Sequence, residues 1–86
     1  MPRALTVQRA TIPAKDRARY LEQVQAYAAH YKAAGCRYWI FEDIKFAGAF
    51  VEFVEADTLE QLADACESAP ERERDRARQV YQQVEI

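Results

Sequence analysis

Five side chains stand out by type and spacing as able to do chemistry: Tyr20, Tyr27, Tyr31, Trp39 and Glu52. The three tyrosines fall within a narrow arc if their segment is a helix, along one edge of an apolar stripe. Trp39 belongs to a strand-like stretch expected to lie opposite them. Buried phenol O–H and indole N–H groups need partners, so such a cluster is either rimmed by water or lines a cavity with polar tips. Aromatic walls with a few convergent donors suit a flat organic ligand. Ordinary core and rim packing accounts for the same residues and is the reading favoured for them.

Glu52 sits between Val51 and Phe53, an expensive place for a carboxylate unless it is paired. Glu42 shares its strand parity, and Arg9 or Arg37 is available as a partner. Paired with an arginine, Glu52 is a salt bridge across a subunit interface, the expectation adopted for it. Unpaired in an apolar cleft, its pKa would rise and it would become a general base. His30, the single histidine, falls off the tyrosine stripe and is expected on the surface. The chain has no Ser/His/Asp set, and two glycines could hardly build a phosphate-binding loop. Cys36 and Cys66 are too few and too far apart for a metal motif and are expected as reduced, buried thiols. No metal and no cofactor are expected.

The elements that must position these groups follow from periodicity. Residues 5–12 alternate as a first strand, stopped by Pro13. From Ala14 the period becomes helical, with Tyr20, Leu21, Val24, Tyr27, Ala28 and Tyr31 as the apolar stripe and Gly35 as the C-terminal cap. Residues 36–43 and 49–55 then form a hairpin rich in aromatic and β-branched side chains. Asp57-Thr58-Leu59-Glu60 has capping-box spacing, with Asp57 as the expected cap of a second helix carrying Leu59, Leu62, Ala63 and Cys66. Ser68-Ala69-Pro70-Glu71 reads as a further helix start. The run at 71–78 interleaves acids and arginines three apart, as on a solvated helix face. Residues 80–86 fit a continuing helix or a last strand. The strand is favoured, because it would pair an otherwise open sheet edge.

The resulting order is α+β: a ferredoxin-like, split βαβ domain spanning residues 1–86, with a four-stranded antiparallel sheet and its helices on one face. Both faces of the hairpin are apolar. One parity carries Trp39, Phe41, Val51 and Phe53, the other Tyr38, Ile40, Phe50 and Val54. Two helices cover one face, so the other calls for a second sheet, most simply that of a homodimer. A net charge of −2 provides no basic field for nucleic acid. No apolar run reaches the ~18 residues of a membrane span, and the first residues have no signal-peptide core, so a cytoplasmic protein is expected.

The strand-Pro-helix opening TVQRATIPAKDRARYLE, the turn AAGCRYWIFE and the strand-to-helix stretch GAFVEFVEADTLEQLADA resemble the dimeric α+β-barrel superfamily. That group contains antibiotic-biosynthesis-type monooxygenases and NIPSNAP-like proteins. The resemblance implies a homodimer and a ligand cleft between helices and sheet in each protomer. It implies either a small-molecule-binding protein without catalysis or a cofactor-independent monooxygenase acting on a phenol or quinol. The segment LEQLADACESAPERE lacks the histidine usual in the monooxygenase and haem-degrading branches, which argues against haem ligation by that route.

Overall fold

The computed structural model describes residues 2–70 and 78–86. Strand β1 (Ala4–Thr11) leads through one 3₁₀ turn (Ala14–Asp16) into helix α1 (Arg17–Ala33). The hairpin β2 (Arg37–Glu42) and β3 (Ala49–Ala56) follows, then helix α2 (Leu59–Glu67) and strand β4 (Gln79–Gln82). All pairings are antiparallel and the sheet order is β2-β3-β1-β4, the ferredoxin-like arrangement. The last stretch is therefore a strand, though only Gln79–Gln82 belongs to it, paired with β1 from Ala4 to Val7. Of the helix start expected at residues 68–71, Ser68 instead caps the end of α2 and residues 69–70 form a bend. Residue 71 and most of the acid–arginine ladder lie on residues 71–77, outside those described.

Register decides what each face carries. Ile40 lies opposite Glu52, and Glu52 opposite Gln8. Ala4, Thr6, Tyr38, Ile40, Phe50, Glu52 and Val54 consequently share the face under the helices, because side chains alternate along a strand. Leu5, Val7, Trp39, Phe41, Val51 and Phe53 share the other face. Under the helices the core forms two clusters. Tyr20, Val24 and Phe50 make one; Tyr27, Tyr31, Cys36, Val54, Leu62 and Cys66 are the centre of the other. Tyr38 packs against both. Leu62 and Val54 are the largest fully buried side chains, each contributing about 1.5–3 kcal/mol by burial.

The connections are specified by local chemistry. Helix α1 ends in a Schellman motif: the Cys36 N–H donates to the Tyr31 carbonyl (2.9 Å) and the Gly35 N–H to the Lys32 carbonyl (3.1 Å). Gly35 takes the positive φ of +81° that this ending requires. Helix α2 is capped by Thr58, not by Asp57 as expected; the Thr58 Oγ1 accepts from the Gln61 N–H at 3.1 Å. The box is displaced by one residue because the reciprocal partner is Gln61, whose Oε1 accepts from the Asp57 N–H (3.2 Å). Its Nε2 donates to the Ala34 carbonyl (3.2 Å), tying the start of α2 to the end of α1.

Gly48 closes the hairpin against β1. Its φ is +90°, its carbonyl accepts from the Ile12 N–H (2.8 Å), and a Cβ there would sit 2.4 Å from the Ile12 carbonyl oxygen. Gly48→Ala therefore combines a left-handed backbone penalty with a backbone clash. The expected loss of unfolding free energy is about 2–4 kcal/mol, read by urea denaturation. A loss below about 0.5 kcal/mol would show that this junction yields freely.

Candidate functional site

The polar centre of the helix-covered face is the pair Tyr38–Glu52. The two residues are diagonal neighbours across β2 and β3, a spacing that a phenol and a carboxylate can bridge. The Tyr38 hydroxyl donates a short hydrogen bond to Glu52 Oε2. Tyr31, from α1, stacks on Tyr38 with centroids 5.7 Å apart and planes 9° from parallel. The Tyr31 hydroxyl points to Cys66 Sγ on α2, at 3.9 Å. Burial, then the nearby Glu52 carboxylate, pushes the Tyr38 phenol well above its ordinary value, and burial first, then Cys66, does the same to Tyr31. Burial likewise raises the Cys36 thiol. At neutral pH these are proton donors, not phenolates or thiolates.

His30 braces this arrangement. It was expected on the surface, but it is half-buried, with its ring edge against Tyr31 at 5.1 Å and Nε2 2.8 Å from the Ala65 carbonyl. A carbonyl only accepts, so that nitrogen carries the proton. The helix period had placed His30 off the α1 stripe; what covers it is α2, whose position no periodicity in α1 reveals.

At the hairpin end, Glu42 takes two hydrogen bonds from Arg17 (2.6 and 2.8 Å) and one from the Gly48 N–H (2.8 Å). These hold its carboxyl down at about 2, the Arg17 hydrogen bond being the largest cause. The Arg17 guanidinium also lies 5.4 Å from the centre of the Phe50 ring, which Tyr20 meets from α1 at 4.8 Å. Tyr20 borders a recess of about 220 Å³ with Ile12, Asp16, Arg19 and Gln23. The pair Arg17–Glu42 thus pins the first turn of α1 over the sheet beside the tyrosines.

The structure brings Tyr20, Tyr31 and Glu52 around one residue that sequence reasoning had left in the apolar sheet, Tyr38. The available signal was its shared parity with Glu52, two residues off the cross-strand pair. Tyr27 is buried in the cluster under α2, among Cys36, Leu62 and Ala65. Trp39 does not face the tyrosines. It has the opposite parity to Tyr38, lies across from Phe53 on the uncovered face, and is 42% exposed. The arginine partner expected for Glu52 is corrected on the same ground: Arg9 and Arg37 have odd parity and project from the other face. Arg37 instead pairs with Glu55 (2.6 Å) and Asp57 (3.0 Å). Glu52 is thus an interior carboxylate under the helices, away from the uncovered face. Among the described residues no group of three His, Cys, Asp or Glu side chains could hold a metal ion.

No protein-family model matches the chain, and no curated protein matches it. Among solved structures, its fold is similar to that of a candidate antibiotic biosynthesis monooxygenase from Bordetella bronchiseptica. The TM-score is 0.70 over 100% of this chain and 99% of that one, at 14% identity. At that identity the likeness establishes the ferredoxin-like α+β fold.

The raised phenols set an alkaline limit. Folded Tyr38 and Tyr31 titrate above the ordinary phenol value of about 10, so their stabilisation is complete below about pH 10 and is lost as pH rises above it. Denaturation measured between pH 8 and 12 is expected to show stability falling past pH 10, with a shallower fall in Tyr38→Phe. An identical slope in the variant would place Tyr38 in water.

Proposed function

We propose that this chain works as a homodimeric α+β barrel that binds a small aromatic molecule beside Tyr20, Tyr31, Tyr38 and Glu52 in each protomer. The observation that carries the reading is the Tyr38–Glu52 hydrogen bond inside the helix–sheet space. A carboxylate set among aromatic rings selects ligands that bring a hydroxyl or N–H, since its two oxygens accept about four hydrogen bonds. Stacked tyrosines supply flat walls for such a ligand. A phenol or quinol meets both demands.

The dimer is supported by the uncovered sheet face. Leu5, Val7, Trp39, Phe41, Val51 and Phe53 lie together there, with Phe41 and Phe53 edge to face at 5.8 Å and Phe41 55% exposed. A continuous apolar sheet face needs cover, and a small domain gains stability from such burial. Two buried free thiols, Cys36 and Cys66, suit a reducing compartment such as the cytoplasm. A second reading is a cofactor-independent monooxygenase. The likeness to the Bordetella protein favours it, and Glu52 is then the base that takes the phenol proton before oxygen reacts. Among the described residues no helix is long and apolar enough to cross a membrane.

Thermal-shift screening with polycyclic phenols and quinones, followed by oxygen uptake on each hit, separates the readings. Binding without uptake supports the non-catalytic protein; uptake abolished by Glu52→Gln supports the monooxygenase. Absence of any phenol that binds at about 1 mM or tighter would overturn both. In sedimentation at micromolar concentration the protein is expected as a dimer. Phe53→Arg is expected to weaken association at least about 30-fold, and a monomeric parent chain would contradict the assembly.

A further inference from the structure

The loop joining β2 to β3 carries two large apolar side chains with almost nothing packed on them: Ile44 is 98% exposed and Phe46 69%. Its backbone is nonetheless held. The Asp43 N–H donates to the Ala49 carbonyl (2.9 Å) and the Ala49 N–H to the Phe46 carbonyl (3.1 Å). The Lys45 and Phe46 N–H groups donate to Asp43 Oδ1, and the Gly48 N–H to Glu42 Oε2. The loop begins beyond Glu42, the last residue of β2, so it leaves the sheet along the strand axis. The uncovered face looks along the sheet normal instead. A second sheet laid on that face does not by itself bury Ile44.

Shape and charge decide the occupant. Two projecting side chains on a narrow turn fall far short of the ~800 Å² per partner of a stable protein interface. A bilayer demands no matching shape, but backbone that enters it must have its N–H groups satisfied internally. Those of Asp43, Lys45, Phe46, Gly48 and Ala49 are. At this end of the molecule Arg17 is paired with Glu42 and Arg19 with Asp16. Lys45 on the loop and Lys15, in the 3₁₀ turn before Arg17, are exposed and have no ion-pair partner among the described residues. Set against Asp43, these two lysines leave one net positive charge. We infer that this loop docks on an anionic membrane surface, Ile44 and Phe46 entering the boundary of headgroups and acyl chains and Lys45 reaching the lipid phosphates. The contact is peripheral and spans nothing. The recess bordered by Ile12 and Tyr20 lies at the same end, where the Ile12 N–H meets the Gly48 carbonyl. An apolar phenol leaving the bilayer would meet that recess first; this link rests on the proposed ligand site, while the docking does not.

Cosedimentation with phosphatidylcholine vesicles containing about 30% phosphatidylserine is expected to show reversible binding, half complete at about 0.1–1 mM lipid. Ile44→Ser combined with Phe46→Ser should weaken it at least about 100-fold. Lys45→Gln should weaken it about fivefold on these vesicles and leave it unchanged on pure phosphatidylcholine. With Trp39→Phe removing the single tryptophan, Phe46→Trp should shift its emission to the blue on binding, as an indole entering the interface does. The proposal is overturned by no binding up to about 10 mM lipid, by an indifferent double variant, or by a Phe46→Trp emission that does not move. It is also overturned if the double variant dissociates the dimer in sedimentation, which would make the loop a contact between copies of this chain. Vesicle binding is read without any phenol, so its failure leaves the interior-site reading untouched, and failure of that reading leaves the docking standing.

Discussion

The register of the central hairpin is the constraint on which the rest of this molecule depends. With Ile40 set opposite Glu52, every even-numbered side chain of β2 and β3 goes under the helices and every odd-numbered one to the opposite face. A slip of one residue would exchange the two sets, moving Glu52 and Tyr38 out and Trp39 and Phe53 in. Both sets are largely apolar, so hydrophobicity alone discriminates weakly between the registers. What fixes the choice is local: the turn held by Asp43, whose Oδ1 accepts from the Lys45 and Phe46 N–H groups at 2.7 and 3.1 Å, and Gly48 locked against Ile12.

That register divides the sheet into two environments. Under the helices, a carboxylate, two stacked phenols and a thiol form one polar string through an otherwise apolar core, from Glu52 through Tyr38 and Tyr31 to Cys66. Such strings restrict the packing to arrangements that satisfy every member. The two helices are fastened to each other at two points on either side of it: Gln61 to the Ala34 carbonyl and His30 to the Ala65 carbonyl. Among the described residues the other face shows no such string. Its polar contacts gather at one end, where Glu55 meets both Arg37 and Arg3, leaving the middle to aromatic and branched side chains.

The fold was readable because its signals are local and repeated: a period of two, a period of 3.6, and glycine where a positive φ is needed. The tyrosine helix, the hairpin and the ferredoxin-like order all follow from these. The candidate site was half readable. Tyr20, Tyr31 and Glu52 were identified, but the residue that joins them depends on cross-strand register, which no single strand reports. Trp39 was misplaced for the same reason, since a strand with two apolar faces does not say which one meets the helices. His30 and the Thr58 cap show the complementary limit. Each is set by a partner on another segment or one residue along, Ala65 for the first and Gln61 for the second.

The central claim is that Tyr38 and Glu52 form one interacting unit under the helices. A double-mutant cycle tests it most directly, with unfolding free energies of the parent chain, Tyr38→Phe, Glu52→Gln and the double variant compared at pH 7. Groups in contact through a hydrogen bond to a charged partner should show a coupling of about 1–3 kcal/mol. Single effects that add to within about 0.3 kcal/mol would contradict the account, because the two side chains would then act independently.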